Sequence, residues 1–150
     1  MTQKISRFNT LTSYSKAIKK LSKYGIRPTK QRMILAKLLF ENGDRHISAE
    51  ELHNEVKKED RKISLATIYN TLKQFTNIGL LKEINIDQNK SIYCTNHDSH
   101  YHLYIENEGK IIDIPTKNIN LNISEIPACL NFHDIDIIVK VRTLKDKYNN

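Results

Sequence analysis

Two histidines stand one residue apart in the segment SHYHLYIENEGKIIDIP (residues 99–115), and an aspartate follows near its far end. Apolar and polar residues alternate there with the period of a β-strand, in which residues two apart project from the same face. His100 and His102 therefore share a face. A turn centred on Asn107 and Glu108 and ending at Gly109 folds the segment into a hairpin, and counting across that turn sets Asp113 opposite His102. Two imidazoles and a carboxylate within reach form a divalent-ion nucleus of borderline-hard character, suited to zinc, iron or manganese. The competing reading is a solvated hairpin whose polar side chains merely face water. Of the other histidines, His97 and His133 read as loop or surface residues and His53 as part of a solvated helix. His46 stands just before a helix cap, at a place from which it can bridge two domains.

A second chemistry, hydrogen bonding to base edges, is suggested by SLATIYNTLKQFTNIG (64–79). Ser64 caps this helix, Gly79 stops it, and Leu65, Ile68, Leu72 and Phe75 recur at the spacing of one buried face. The opposite face carries Ala66, Thr67, Asn70, Lys73 and Gln74, small or hydrogen-bonding residues in place of the usual Glu/Lys mixture. Such a face suits a major groove, where amides, hydroxyls and methyl contacts read sequence; an ordinary wet face is the alternative.

Three helices precede it. SYSKAIKKLSKYG (13–25) ends at Gly25, and RPTKQRMILAKLLFENG (27–43) takes Pro28 into its first turn and stops at Gly43. SAEELHNEVKKED (48–60) opens with a capping box made by Ser48 and Glu51. After Gly79 the period changes to two, and LLKEINID (80–87) and NKSIYCT (89–95) make a hairpin joined at Gln88 and Asn89. Helices followed by such a two-stranded wing form a winged helix-turn-helix, with Lys82 and Lys90 placed for phosphates. The 99–115 hairpin and a last strand through Ile135, Ile137, Val139 and Val141 add a small second domain. The expected fold class is α+β, divided into a flexible tail (1–13), a winged-helix domain (14–95) and a C-terminal domain (96–150).

Charge supports a polyanionic partner. The formal net charge is +7, but residues 1–93 carry 18 Lys/Arg against 9 Asp/Glu, and residues 94–150 carry 6 against 8. Ten basic residues precede the first acid, Glu41. A positive field concentrated on one half favours phosphate neutralisation with counterion release. No apolar run is long enough to cross a bilayer, the N-terminal residues lack the apolar core of a secretory signal, and two distant cysteines, Cys94 and Cys129, form no disulfide framework. A cytoplasmic protein with no membrane partner is expected.

The conjunction of GIRPTKQR (25–32), HISAEEL (46–52), SLATIYNTL (64–72), KSIY (90–93), HYHL (100–103) and GKIIDIP (109–115) resembles the ferric uptake regulator (Fur) family. The resemblance implies a dimeric, metal-responsive DNA-binding regulator that meets inverted-repeat, AT-rich double-stranded DNA as a homodimer. The C-terminal domain then becomes a small α/β dimerisation and metal-sensing domain. It implies a regulatory site at His46, Cys94, His100, His102 and Asp113, with cysteine standing where the family has a carboxylate. For DNA it implies a minor-groove or backbone role for Arg27, with Lys30 and Arg32 nearby, and a base-reading pair in Tyr69 and Asn70. The family's tetrathiolate zinc site cannot form, because Ile105 and Glu108 replace its first cysteine pair and Cys129 stands alone. A further family site is unsupported, since Ser99, Tyr101 and Asp136 fall at its positions. This loss, with GKIIDIP and the final IDIIVKVR, most resembles the iron response regulator branch, so the expected cofactor is a divalent ion (Fe, Mn or Zn) or haem, and the expected role is repression in iron homeostasis. Neither cysteine precedes a proline, which excludes a Cys-Pro haem motif. Two alternatives stand beside this reading: a metal-independent winged-helix regulator, and a small metal-dependent hydrolase using His100, His102 and Asp113. The hydrolase lacks a general base near those residues and leaves the basic half unexplained. The chain is therefore expected not to be an enzyme.

Overall fold

The computed structural model describes residues 14–130 and 134–144; the expected N-terminal tail and His133 lie outside the described residues. Side-chain caps and helix-stopping turns set the boundaries of the N-terminal unit, which extends to His97. Residues 14–23 form α1, followed by α2 (Lys30–Phe40), α3 (Ala49–Lys58) and α4 (Leu65–Asn77). Thr29 caps α2, its hydroxyl accepting from the Arg32 amide at 3.3 Å. Pro28 thus precedes the helix instead of lying in its first turn, because the threonine oxygen supplies an acceptor that proline cannot. The expected capping box is present on α3: the Glu51 amide donates to Ser48 Oγ at 3.2 Å, and the Ser48 amide donates to Glu51 Oε2 at 2.8 Å. Ser64 caps α4 through the Thr67 amide at 3.1 Å.

At the far end of α4 the chain must turn sharply into the wing. Gly79 takes φ +79°, while the Leu80 amide donates to the Phe75 carbonyl at 2.8 Å and the Gly79 amide to that of Thr76 at 3.0 Å. This Schellman pairing satisfies carbonyls that a helix end otherwise leaves open. The core beneath comprises Leu21, Leu35, Leu39, Leu52, Val56, Ile68, Leu72 and Phe75, all fully buried. Truncating a residue such as Phe75 to alanine costs about 3–5 kcal/mol.

The wing is β2 (Lys82–Asp87) paired antiparallel with β3 (Lys90–Cys94), but it is not two-stranded. A two-residue strand, β1 (His46–Ile47), joins its other edge and gives the order β1-β3-β2. Two residues are too few to display an alternation, so periodicity could not announce this strand.

The C-terminal unit begins at Asp98. Its sheet has the order β5-β4-β6, with β4 (His100–Ile105) central, β5 (Lys110–Pro115) antiparallel to it and β6 (Ile138–Val141) parallel. A 3-10 turn at Thr116–Asn118 follows β5. β6 is shorter than the alternation from Ile135 suggests: its ladder opens where the His102 amide donates to the Ile137 carbonyl at 3.0 Å, leaving Ile135 and Ile137 outside the strand. The hairpin tip is tied to the end of β6 by Arg142 and Glu106 at 2.7 Å and by two bonds between Asn107 and Thr143. No helix among the described residues is long and apolar enough to cross a membrane.

Candidate metal centre and nucleic-acid interface

The hairpin register is the one the sequence predicts: His102 pairs with Asp113. Successive odd and even positions of β4 face opposite sides, and His100 and His102 both fall on the buried side, His102 completely. The His100 Nδ1 lies 2.6 Å from the Asp98 carbonyl oxygen. A carbonyl only accepts, so Nδ1 carries the proton and, in the neutral ring, Nε2 keeps its lone pair. That Nε2 lies 2.9 Å from His102 Nε2, with the rings edge to face at 79°. Asp113 Oδ1 completes the group at 3.4 Å from His100 Nε2 and 3.7 Å from His102 Nε2. Two nitrogens and one oxygen, with one imidazole oriented by a backbone carbonyl behind it, match the chemistry that holds a borderline divalent cation.

In the N-terminal unit, His46 and Cys94 are direct cross-strand partners on β1 and β3, so imidazole and thiol project from the same face. Arg45 fixes this pairing. Its guanidinium makes a two-pronged contact with Glu55 at 2.6 and 3.0 Å and reaches the Leu38 carbonyl at 3.2 Å. Its backbone is clamped to Thr95, the amide donating to Thr95 Oγ1 at 2.8 Å and the carbonyl accepting from the Thr95 amide at 3.0 Å. Helices α2 and α3 thereby position the strand that carries His46. Cys94 is buried and Cys129 exposed.

The expected reading face of α4 is open: Ala66, Tyr69, Asn70 and Lys73 are exposed, with Thr67 and Gln74 half-buried. A groove between α4 and the wing is lined by Tyr69, Asn70, Lys73 and Lys90 together with Glu50 and Glu83. A second groove, between the start of α2 and α4, brings Lys30 and Arg32 beside Thr67 and Asn70. Asn70 thus serves both. Arg27 is exposed just before α2 and its carbonyl accepts from Arg32 Nη1 at 3.0 Å, while Lys82 is half-buried at the start of β2; neither lines these grooves, nor does Ala66.

Electrostatics mark the same groove. The Tyr69 hydroxyl donates to Glu50, and that bond holds the phenol above its ordinary titration range. Burial, reinforced by Glu83, Tyr69 and Glu50, pushes Tyr93 up to about 12. Sequence reasoning missed Glu50, the Asp98 carbonyl and the Arg45 clamp. Glu50 is masked by its neighbour Glu51, whose capping role accounts for the motif, and a backbone carbonyl leaves no trace in residue types.

Known proteins share this architecture. The sequence model of the ferric uptake regulator family matches residues 23–142. The peroxide-responsive repressor PerR of Staphylococcus aureus (strain Mu50 / ATCC 700699) is 35% identical over 104 residues, 69% of this chain and 70% of that protein. Among solved structures, the ferric uptake regulator from Pseudomonas aeruginosa with manganese superposes with a TM-score of 0.65 at 23% identity, over 86% of this chain and 98% of that one. The Campylobacter jejuni peroxide stress regulator gives 0.57 at 26% identity, over 85% and 93%. With the family match spanning both units and the fold shared along nearly the whole length of these neighbours, the chain belongs to the ferric uptake regulator family of metal-responsive transcription regulators.

Proposed function

We propose that this regulator is a cytoplasmic homodimer that binds AT-rich inverted-repeat DNA, one α4 helix per half-site, and responds to a divalent ion held by His100, His102 and Asp113. The observation that carries the reading is the convergence of two imidazole Nε2 atoms and a carboxylate oxygen on one face of β4 and β5. The family resemblance adds His46 and Cys94 to the proposed ligand set. The ion then shifts the population toward the DNA-competent state by the difference in its affinity for the two states. The donor spacing favours a small ion over haem: nitrogens 2.9 Å apart accommodate an ion between them after a small adjustment, whereas a macrocycle needs an open slot on one ring face. A role in iron homeostasis, close to the iron response regulator branch, rests on the missing paired cysteines and the GKIIDIP strand. A second reading, response to peroxide, is favoured by the 35% identity to PerR.

The test is anisotropy on an AT-rich inverted-repeat duplex at fixed salt, first metal-free and then with manganese, zinc, ferrous iron or haem. The expected result is an affinity that changes with one divalent ion, reverts on chelation and is lost in His100→Ala and His102→Ala. Peroxide added to the ferrous protein separates the two signals: release of DNA only after oxidant supports the second reading. Tight binding indifferent to every addition identifies a metal-independent regulator.

A further inference from the structure

We propose that Glu50 is a positioning residue for base recognition, which accepts the hydrogen bond of the Tyr69 hydroxyl and thereby directs that part of the interface toward A·T pairs. The proposal rests on the DNA-binding reading of α4. Its starting point is an oddity of charge: in the basic half of the chain, on the face expected to meet a polyanion, two carboxylates, Glu50 and Glu83, line the groove with Lys73 and Lys90. An acid facing phosphates weakens binding unless it acts on something else.

Glu50 acts on Tyr69. It lies in the first turn of α3, Tyr69 lies on α4, and the bond between their side chains crosses the two helices. Both residues are exposed, so the contact is not forced by core packing. The tether fixes the side-chain torsions of a large ring that stands in solvent, reducing what must be ordered when DNA arrives. It also decides what the ring has to offer. With its O–H engaged by a carboxylate, Tyr69 presents apolar ring edge and face, which complement the C5-methyl group of thymine. An A·T pair alone supplies that methyl group, so this corner of the groove selects it. The lysines of the same groove are left to engage phosphates.

The experiment is selection from a pool of short duplexes with randomised centres, followed by sequencing of the bound fraction, for wild type, Glu50→Ala, Glu50→Gln, Tyr69→Phe and the Glu50→Ala/Tyr69→Phe double variant. Wild type enriches A·T pairs at the contacted positions. In Glu50→Ala that enrichment falls by about tenfold, the scale of one base contact, with affinity for unselected duplex unchanged or higher because a negative charge has gone. Glu50→Gln keeps an acceptor for the hydroxyl and retains the preference. Tyr69→Phe reproduces Glu50→Ala, and the double variant is no worse than either. Wild-type preferences in Glu50→Ala, loss of preference in Glu50→Gln, or additive losses in the double variant overturn the proposal. Failure of the wild type to enrich any sequence overturns the DNA-binding reading itself, and is seen before any variant is compared.

Discussion

The hydrogen bond from His100 Nδ1 to the Asp98 carbonyl leaves one imidazole nitrogen committed and the other aimed at His102 and Asp113. Removing either ring takes away a direct donor, so His100→Ala and His102→Ala are each expected to weaken zinc or manganese binding at least as much as loss of a supporting partner does, about 10–100-fold. Isothermal titration against each ion measures this, and unchanged affinity in either variant would remove the proposed centre. Tyr93 supplies a second residue-level test. Its phenol is raised to about 12 from an ordinary value of 10.0, so its neutral form is favoured in the folded state. The stability it contributes is fully present below pH 10 and is lost as pH rises through 12. Alkaline titration of tyrosinate absorbance is expected to show a late phase that disappears in Tyr93→Phe. The H-x-H pair and Asp113 were legible in the sequence because a strand has a fixed period and Gly109 marks its turn. Glu50 was not, since its partner is nineteen positions away in the chain and reaches it only through the packing of two helices.

At the scale of elements, the helices announced themselves through caps that are local in sequence. Ser48 and Glu51 satisfy each other's backbone amides, so Ser48→Ala is expected to lower stability by about 1 kcal/mol, read as a shift in the urea midpoint with unchanged slope. Gly79→Ala tests the turn into the wing: a Cβ there meets nothing within 4 Å, so the cost is purely that of φ +79°, about 1–2 kcal/mol. What the sequence concealed at this scale was pairing. β1 is a strand only because β3 lies beside it, and β6 stops short of its own alternation because its ladder begins at Ile137. Both are decided by a distant partner, which residue periodicity does not encode. Pro28 was misplaced for the opposite reason: a general tolerance for proline in a first turn gave way to a better cap one residue later.

For the whole molecule, positive charge is segregated along the chain. Excess positive charge lies in residues 1–93, and a DNA complex made through it is expected to weaken steeply with salt, the logarithm of the association constant falling linearly with the logarithm of salt concentration. A shallow dependence would place the affinity elsewhere. The C-terminal unit exposes Ile112, Leu121, Ile123, Ile126 and Leu130, apolar side chains available to the proposed homodimer. Ile123→Asp/Ile126→Asp is accordingly expected to sediment as a monomer and to lose most of its operator affinity, whereas a dimeric double variant would exclude this surface. The parallel alignment of β6 with β4 carries a temporal consequence as well. Strand β4 holds His100 and His102, yet its parallel neighbour is joined across a separation of 36 residues, as the Asn107 to Thr143 bond shows. Ribosomal synthesis delivers the histidines first and β6 seconds later, after the N-terminal unit has had time to fold. A nascent chain therefore passes through an interval in which its N-terminal helices are formed while β4 lacks a flank, and an ion captured at the proposed centre in that interval is held by a half-finished sheet.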